Sequence, residues 1–351
     1  MFIDQAQQIF ALVRSGEVVE IGAARTAPVH SEVRRNVSYL RLAFAFAAIY
    51  LIWGSTYLAI RYAVEAIPPL LMMGIRHFVA GAALYAWLRW RGTPAPSRSQ
   101  WKRALIAGSI FFLGAHGSLA WAEKQVPSGL AALLNATLPL WIVLLTWWSG
   151  KRRVLSRSVT TGLVLGFLGV VVLIGPSALY QRSALLLDAV VLGGAFLWAL
   201  GTIYTQRGGL PESASLSAAM QMLSGGAALF VASLAVGERM NLSQVTAKSA
   251  VSLVYLIVFG SLIAFSAFTW LHTVVSAARI STYAYVNPVV AVFLGWMMGG
   301  ETIGVRTLVA TATILAAVAL VNRGRRETTA PASPQYKPAP VSRSWYPQAE
   351  C

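Results

Sequence analysis

Long apolar stretches alternate with short polar connections along most of this chain. A spanning helix needs about 20 mainly apolar residues to cross roughly 30 Å of hydrocarbon. Ten windows meet that length, near residues 40–60, 69–90, 103–122, 128–149, 158–178, 186–205, 215–236, 250–271, 279–299 and 304–322. The connections hold residues that break helices and turn the chain: Pro68-Pro69, Pro94 and Pro96, Pro127, Pro176, Gly208-Gly209 with Pro211, and Gly299-Gly300. The pattern predicts an all-α integral membrane protein of ten transmembrane helices. Its expected parts are a cytoplasmic N-terminal extension over 1–38, a five-helix unit over 39–180 and a second over 181–323. A cytoplasmic tail over 324–351, rich in Pro, Ser and Ala, is expected to be disordered.

Composition supports the same class. Of 351 residues, 57% are hydrophobic and 11% charged. A soluble domain carries about 25% charged residues to cover its surface, so lipid must be part of this chain's solvent. The net charge of +16 raises nucleic acid as a partner, but the charges lie in clusters between apolar runs. Arg34, Arg35 and Arg41 form one, Arg89, Arg91, Arg98, Lys102 and Arg103 another, and Lys151, Arg152, Arg153 and Arg157 a third. A nucleic-acid binder gathers such charge on one face, whereas clusters at span ends are the signature of the positive-inside rule. With the N-terminus inside, the inner loops hold these clusters and the outer loops hold only Arg61, Lys124, Arg182, Arg239, Lys248 and Arg306. Both termini are therefore expected in the cytoplasm. The single cysteine, Cys351, excludes an internal disulfide and any multi-cysteine metal site.

The two halves echo each other. Ala80-Gly81-Ala82-Ala83-Leu84 matches Gly225-Gly226-Ala227-Ala228-Leu229 at an offset of 145, which also brings Trp53 onto Trp198. Further on the offset is 149, pairing Trp121 with Trp270, Pro139 with Pro288 and Trp147 with Trp296. Matched tryptophans and prolines in order point to a duplication. Five helices per half is an odd number, so the second half enters the membrane from the opposite side. The expected fold is two inverted five-helix repeats, the arrangement on which alternating access rests.

Several motifs carry a family resemblance. Trp53-Gly54-Ser55-Thr56-Tyr57, Pro68-Pro69, Arg76 and Gly81-Ala82-Ala83 resemble the opening of an EamA-type member of the drug/metabolite transporter superfamily. Ser128-Gly129-Leu130-Ala131-Ala132-Leu133 running to Pro139, its echo through Tyr283 to Asn287-Pro288, and Gly299-Gly300-Glu301 resemble the fourth and ninth helices of that family. The resemblance covers about residues 42 to 322. It implies a secondary transporter of the bacterial inner membrane, exporting small metabolites, amino acids or amphipathic drugs. The long N-terminal extension and the Pro-rich tail depart from the compact pattern.

Candidate residues come from polar and aromatic groups at membrane depth, where a charge costs about 2.5 to 3.5 kcal/mol on insertion scales. Arg76 and His77 in the second span suit an anion-attracting, gating or proton-linked role; an arginine snorkelling to the interface is the competing account. Gln221 holds the equivalent place in the second half. His116 lies between Gly114 and Gly117 in the third span, and either faces a wet cavity or bonds a neighbouring helix. Pro139 and Pro288 free a carbonyl one turn earlier and loosen their helices, so Asn135, Thr137, Tyr283, Tyr285 and Asn287 are candidates for a polar lining. Trp53, Ser55, Thr56, Trp198 and Tyr204 begin the two halves and are further lining candidates, with belt anchoring as the alternative for the tryptophans. Trp87, Trp90, Trp101, Trp147 and Trp148 fall at span ends and read as anchors. Glu65, Glu123, Asp188, Glu238 and Glu301 lie near span ends and are expected to be solvated.

A membrane-embedded enzyme is the competing class, but the chain holds no HExxH, no paired intramembrane aspartates, no GxSxG and no GxxxxGK[ST]. A passive facilitator or channel is the nearer alternative. The expected partners are a small-molecule substrate and the lipid bilayer, with a proton as candidate coupling ion. No cofactor, metal or nucleic acid is expected, and the oligomeric state is left open.

Overall fold

In hydrocarbon no water is present to satisfy backbone N–H and C=O groups, so a spanning segment closes its hydrogen bonds within itself. The computed structural model describes residues 39–148, 156–174, 182–206, 208–275 and 282–329. The N-terminal extension, the basic cluster Lys151, Arg152 and Arg153, and the tail from residue 330 lie outside the described residues. Among the described residues, nine helices are long and apolar enough to cross a membrane. They are α1 (Tyr39–Val64), α2 (Pro69–Trp90), α3 (Arg98–Ala122), α4 (Ser128–Trp148), α5 (Arg157–Ile174), α6 (Ser183–Thr205), α7 (Ala214–Ala235), α8 (Ala247–Leu271) and, after the shorter apolar helix α9 (Tyr283–Met297), α10 (Val305–Arg323). The ten predicted windows thus correspond to ten helices in order.

The last helix corrects one boundary. It continues without a break to Thr329, where the tail was expected to be disordered from residue 324. Arg325, Arg326 and Glu327 are good helix formers, so nothing local ends the hydrogen-bond ladder at the membrane face.

Three pairs of counterpart helices pack on each other. The most extensive contacts join α2 to α7 and α5 to α10, and α4 packs on α9. The repeated small residues explain the α2–α7 contact. A methyl group on Gly81 would come within 2.4 Å of the Leu223 amide nitrogen, and one on Gly226 within 2.4 Å of the Phe78 amide nitrogen. Phe78 and Leu223 stand at the same offset of 145 as the glycines themselves, so the contact is reciprocal. Bare backbone against bare backbone is how membrane helices approach when lipid is as apolar as leucine. Leu168, Val171, Val231, Leu234 and Val309 point outward and stay exposed, as a lipid-facing surface requires.

Helix starts reveal a second cross-repeat device. Ser97 with Gln100 forms a capping box at α3, and Ser213 and Thr246 cap α7 and the start of α8 from their own chain. The starts of α2 and α4 follow Pro68 and Pro127 and have no local side-chain cap. Each is capped from the second half instead. The Leu70 and Leu71 amides donate to the Glu238 carboxylate at 3.2 and 2.8 Å, and the Ser233 hydroxyl donates to it at 2.8 Å. Glu301 accepts from the Ser128 amide and hydroxyl, both at 2.6 Å, and from the Gly129 amide at 3.0 Å. It also pairs with the Arg61 guanidinium.

Of the five acidic residues near span ends that were expected to be solvated, Glu65 is and the other four are corrected. Glu65 is half exposed and pairs with Lys248. Glu238 and Glu301 serve as caps, because a helix N-terminus presents unpaired N–H groups and a positive dipole end that favour a carboxylate. Asp188 and Glu123 are buried.

The reciprocal glycine contact makes a direct prediction. Gly81→Ala and Gly226→Ala should each lower the melting temperature of the purified protein, by an overpacking cost of about 1–3 kcal/mol apiece. Unchanged unfolding in thermal scans of detergent-solubilised protein would mean that α2 and α7 do not meet at these glycines.

Candidate functional site

Three helices carry wide, π-helical turns: Ala48–Ile52 in α1, Ser109–His116 in α3 and Leu256–Ile263 in α8. The last two sit at nearly the same place in counterpart helices. Such turns shift the register of side chains and recur at functional sites. Here two of them also receive side-chain donors from candidate residues. The Trp53 indole donates to the Gly260 carbonyl at 3.1 Å. The Asn287 amide faces the Ile49, Tyr50 and Tyr283 carbonyls, so its nitrogen is assigned to that side, where it donates to Ile49 and Tyr50 at 3.0 and 3.1 Å.

These helices surround a cavity drawn from both repeats. From the first half it is lined by Trp53, Thr56 and Tyr57 on α1, Arg76 and His77 on α2, Phe112 and His116 on α3, and Asn135 on α4. From the second come Trp198 on α6, Met222 on α7, Gly260, Ser261 and Phe265 on α8, and Tyr283, Asn287 and Pro288 on α9. Aromatic rings from both halves form part of its wall. Trp53 lies 4.9 Å from Phe268 and 5.4 Å from Tyr283 between ring centroids, and His116 stacks on Trp198 at 4.8 Å. His77 packs on Phe112 at 4.2 Å.

Polar groups are few and placed. The Arg76 guanidinium is 3% exposed and donates from Nε to the Ser261 hydroxyl at 3.0 Å. Gly260 makes room for it: a methyl group there would stand 3.0 Å from Nη2 of Arg76. His116 Nδ1 and His77 Nε2 share a hydrogen bond of 2.9 Å. Asn135 donates to the Tyr57 hydroxyl at 2.7 Å. Arg76 is the single Lys, Arg, Asp or Glu of the lining.

The structure sorts the sequence candidates. Trp53, Thr56, Arg76, His77, His116, Asn135, Trp198, Tyr283, Asn287 and Pro288 meet at the cavity. Burial of Arg76 away from the surface rules out the snorkelling account. Five candidates lie elsewhere. The Ser55 hydroxyl bonds the Ile52 carbonyl and the Tyr255 hydroxyl at 2.8 and 2.6 Å. Thr137 is fully buried, bonding the Leu134 carbonyl at 2.7 Å. Tyr285 faces α10, donating to the Val318 carbonyl at 2.9 Å and accepting from Asn322 at 2.6 Å. Tyr204 packs on the core outside the cavity. Pro139 is not in the lining either; it opens the second segment of α4 after a break at Ala136-Thr137. Its counterpart Pro288 stays inside a continuous helix. Trp87, Trp90, Trp147 and Trp148 are exposed at helix ends, as anchors require.

Sequence reasoning missed Tyr57, Phe112, Gly260, Ser261 and Phe265. The π-helical turns that aim the last three have no mark in a hydrophobic pattern.

A cavity enclosed by two duplicated, oppositely inserted halves defines a multi-pass membrane transporter. Comparison with known proteins gives the family. The model described as the EamA-like transporter family matches twice, over residues 40–175 and 185–323. This chain belongs to that family. It is 38% identical over 286 residues to YedA, named an inner membrane transporter, of Escherichia coli strain K12, covering 80% of this chain and 90% of the relative. It is 24% identical to the transporter YoaV of Bacillus subtilis over 77% of this chain and 92% of the relative. Against the protein PecM of Dickeya dadantii it is 26% identical, over 81% and 94% of the two chains. A solved crystal structure shares the fold, with a TM-score of 0.60 at 22% identity over 82% of this chain and 99% of its own. The protein is a multi-pass transporter of the inner membrane.

The Asn287 contacts can be tested as a joint between the halves. Asn287→Ala leaves buried carbonyls of Ile49 and Tyr50 without that donor, a loss of about 1–3 kcal/mol. Thermal unfolding in detergent should register it, and an unchanged midpoint would remove Asn287 from that role.

Proposed function

We propose that this protein is a secondary transporter that exports small amphipathic solutes, among them metabolites, amino acids and drugs, by alternating access. The reading rests on one observation: a cavity at the meeting of the two repeats in which aromatic rings surround a single guanidinium. Rings supply a broad apolar and cation-attracting surface. Arg76 supplies a charged donor for a carboxylate or similar head, a strong bond where water is excluded. Inverted repeats supply two related shapes that open such a cavity to opposite sides in turn. The basic loops favour both termini in the cytoplasm, which puts the ends capped by Glu238 and Glu301 on the outer side. The family's transporters support carriage rather than chemistry on the solute, and the lining calls for no cofactor.

L-phenylalanine presents a ring and a carboxylate on one small solute, so it is the probe of choice. Proteoliposomes loaded with unlabelled L-phenylalanine should accumulate the labelled amino acid transiently by counterflow, with saturable kinetics. Arg76→Gln should raise the half-saturating concentration about 10- to 100-fold, the range expected for losing a charged hydrogen bond worth about 1.5–3 kcal/mol. Linear flux without counterflow would make the protein a channel and sink the carrier reading.

A further inference from the structure

Beyond the cavity, one buried carboxyl has no structural task. Glu123 ends the turn that follows α3, one helical turn past the cavity residue Leu119. It is 1% exposed. Neither carboxyl oxygen has a hydrogen-bond donor among the described residues. Glu238 and Glu301, by contrast, each collect three or more donors as helix caps. A buried carboxylate without donors is costly, several kcal/mol for an ion taken out of water, and a proton removes that cost. Burial accordingly pushes the Glu123 carboxyl well above the usual carboxylate range; the charge of Glu301 adds to the rise, and Arg61 and Arg76 oppose it.

The surroundings give that proton consequences. Tyr57 and Arg61 on α1, Arg76 on α2 and Glu301 in the connection before α10 are the titratable and charged groups that bear electrostatically on Glu123. Helix α6, packed against Gly117–Ala122, carries the buried Asp188. Arg61 is already paired with Glu301. Arg76 is held by the Ser261 hydroxyl and the Met73 sulfur, neither of them an anion. The charge of Glu123 thus bears both on the cavity's one cation and on the Arg61–Glu301 pair that ties α1 to the connection after α9.

We propose that Glu123 is the site at which this transporter binds and releases its coupling proton. The inference rests on the reading of the cavity as a solute site and adds the driving ion to it. Uptake of a proton converts the carboxylate to a neutral acid, which leaves Arg61 wholly to Glu301 and keeps that side shut. Release of the proton restores a negative charge that draws on Arg61 and Arg76. Because Arg76 is the cation of the cavity lining, the charge on Glu123 sets how freely that guanidinium meets a solute, and proton and solute movement are linked through it.

Two measurements on the full-length protein in lipid decide it. In proteoliposomes, a pH gradient should drive L-phenylalanine flux in the wild type. Glu123→Gln should reduce that flux to its level without a gradient while counterflow at equal pH continues. Infrared titration should show a protonated-carboxyl stretch in the wild type above the ordinary carboxylate range, and E123Q should lack it. Gradient-driven flux that survives in E123Q, or an infrared titration identical to wild type, would overturn the proposal. Should E123Q lose counterflow and run as aggregate on size exclusion, Glu123→Asp decides: a shifted pH midpoint of flux supports the site and an unshifted one refutes it. Absent counterflow in a wild type that keeps the Glu123 infrared band would refute the solute reading alone. Counterflow without that band would refute the proton site alone.

Discussion

Inside hydrocarbon every polar group has to find its partner within the protein, and the architecture of this transporter follows from where those partners are. Most backbone groups are satisfied within straight helices. The starts of α2 and α4 are capped from the other half of the chain, and the π-helical turns of α1 and α8 receive side-chain donors from it. Glu238 and Glu301 reach across to cap first-half helices. Trp53 reaches to Gly260, and Asn287 to Ile49 and Tyr50. The same bonds that make the backbone tolerable in lipid therefore lock the repeats together.

Close helix approach works alongside this pairing. The reciprocal contacts of Gly81 with Leu223 and of Gly226 with Phe78 bring α2 and α7 together along the relation that links the repeats. Apolar side chains gain little by leaving lipid for one another, so backbone contact and cross-chain polar bonds carry the specificity. Departures from symmetry then mark where function can reside. Arg76 faces Gln221 across the duplication, and Pro139 begins a new helical segment where Pro288 does not. The cavity's one cation and both of its imidazoles, Arg76, His77 and His116, are all in the first half.

Two buried charged groups stand out. Arg76 is a buried cation held by neutral atoms, and Glu123 is a buried carboxyl held by none among the described residues. In a medium where unpaired charge is expensive, keeping both near one cavity is hard to explain by stability. It is simple to explain if a solute meets the one and a proton the other.

The chain's sequence determined the class outright: ten apolar windows, basic clusters at their ends and a duplicated order of Trp, Gly and Pro. These are one-dimensional properties, because span length and charge asymmetry are set by the bilayer and not by neighbouring helices. Most of the candidates named as polar or aromatic groups at membrane depth, among them Trp53, Arg76, His116 and Asn287, also came together. Tertiary structure alone decided the rest. It turned Ser55, Thr137, Tyr204 and Tyr285 away from the cavity and brought in Gly260, Ser261 and Phe265, since π-helical turns rotate side chains by an amount that no periodicity records. It also made caps of Glu238 and Glu301 and buried Glu123, although all three read as ordinary solvated ends of spans. Whether an acidic residue at a helix end meets water, a neighbouring helix N-terminus or nothing depends on residues more than a hundred positions away.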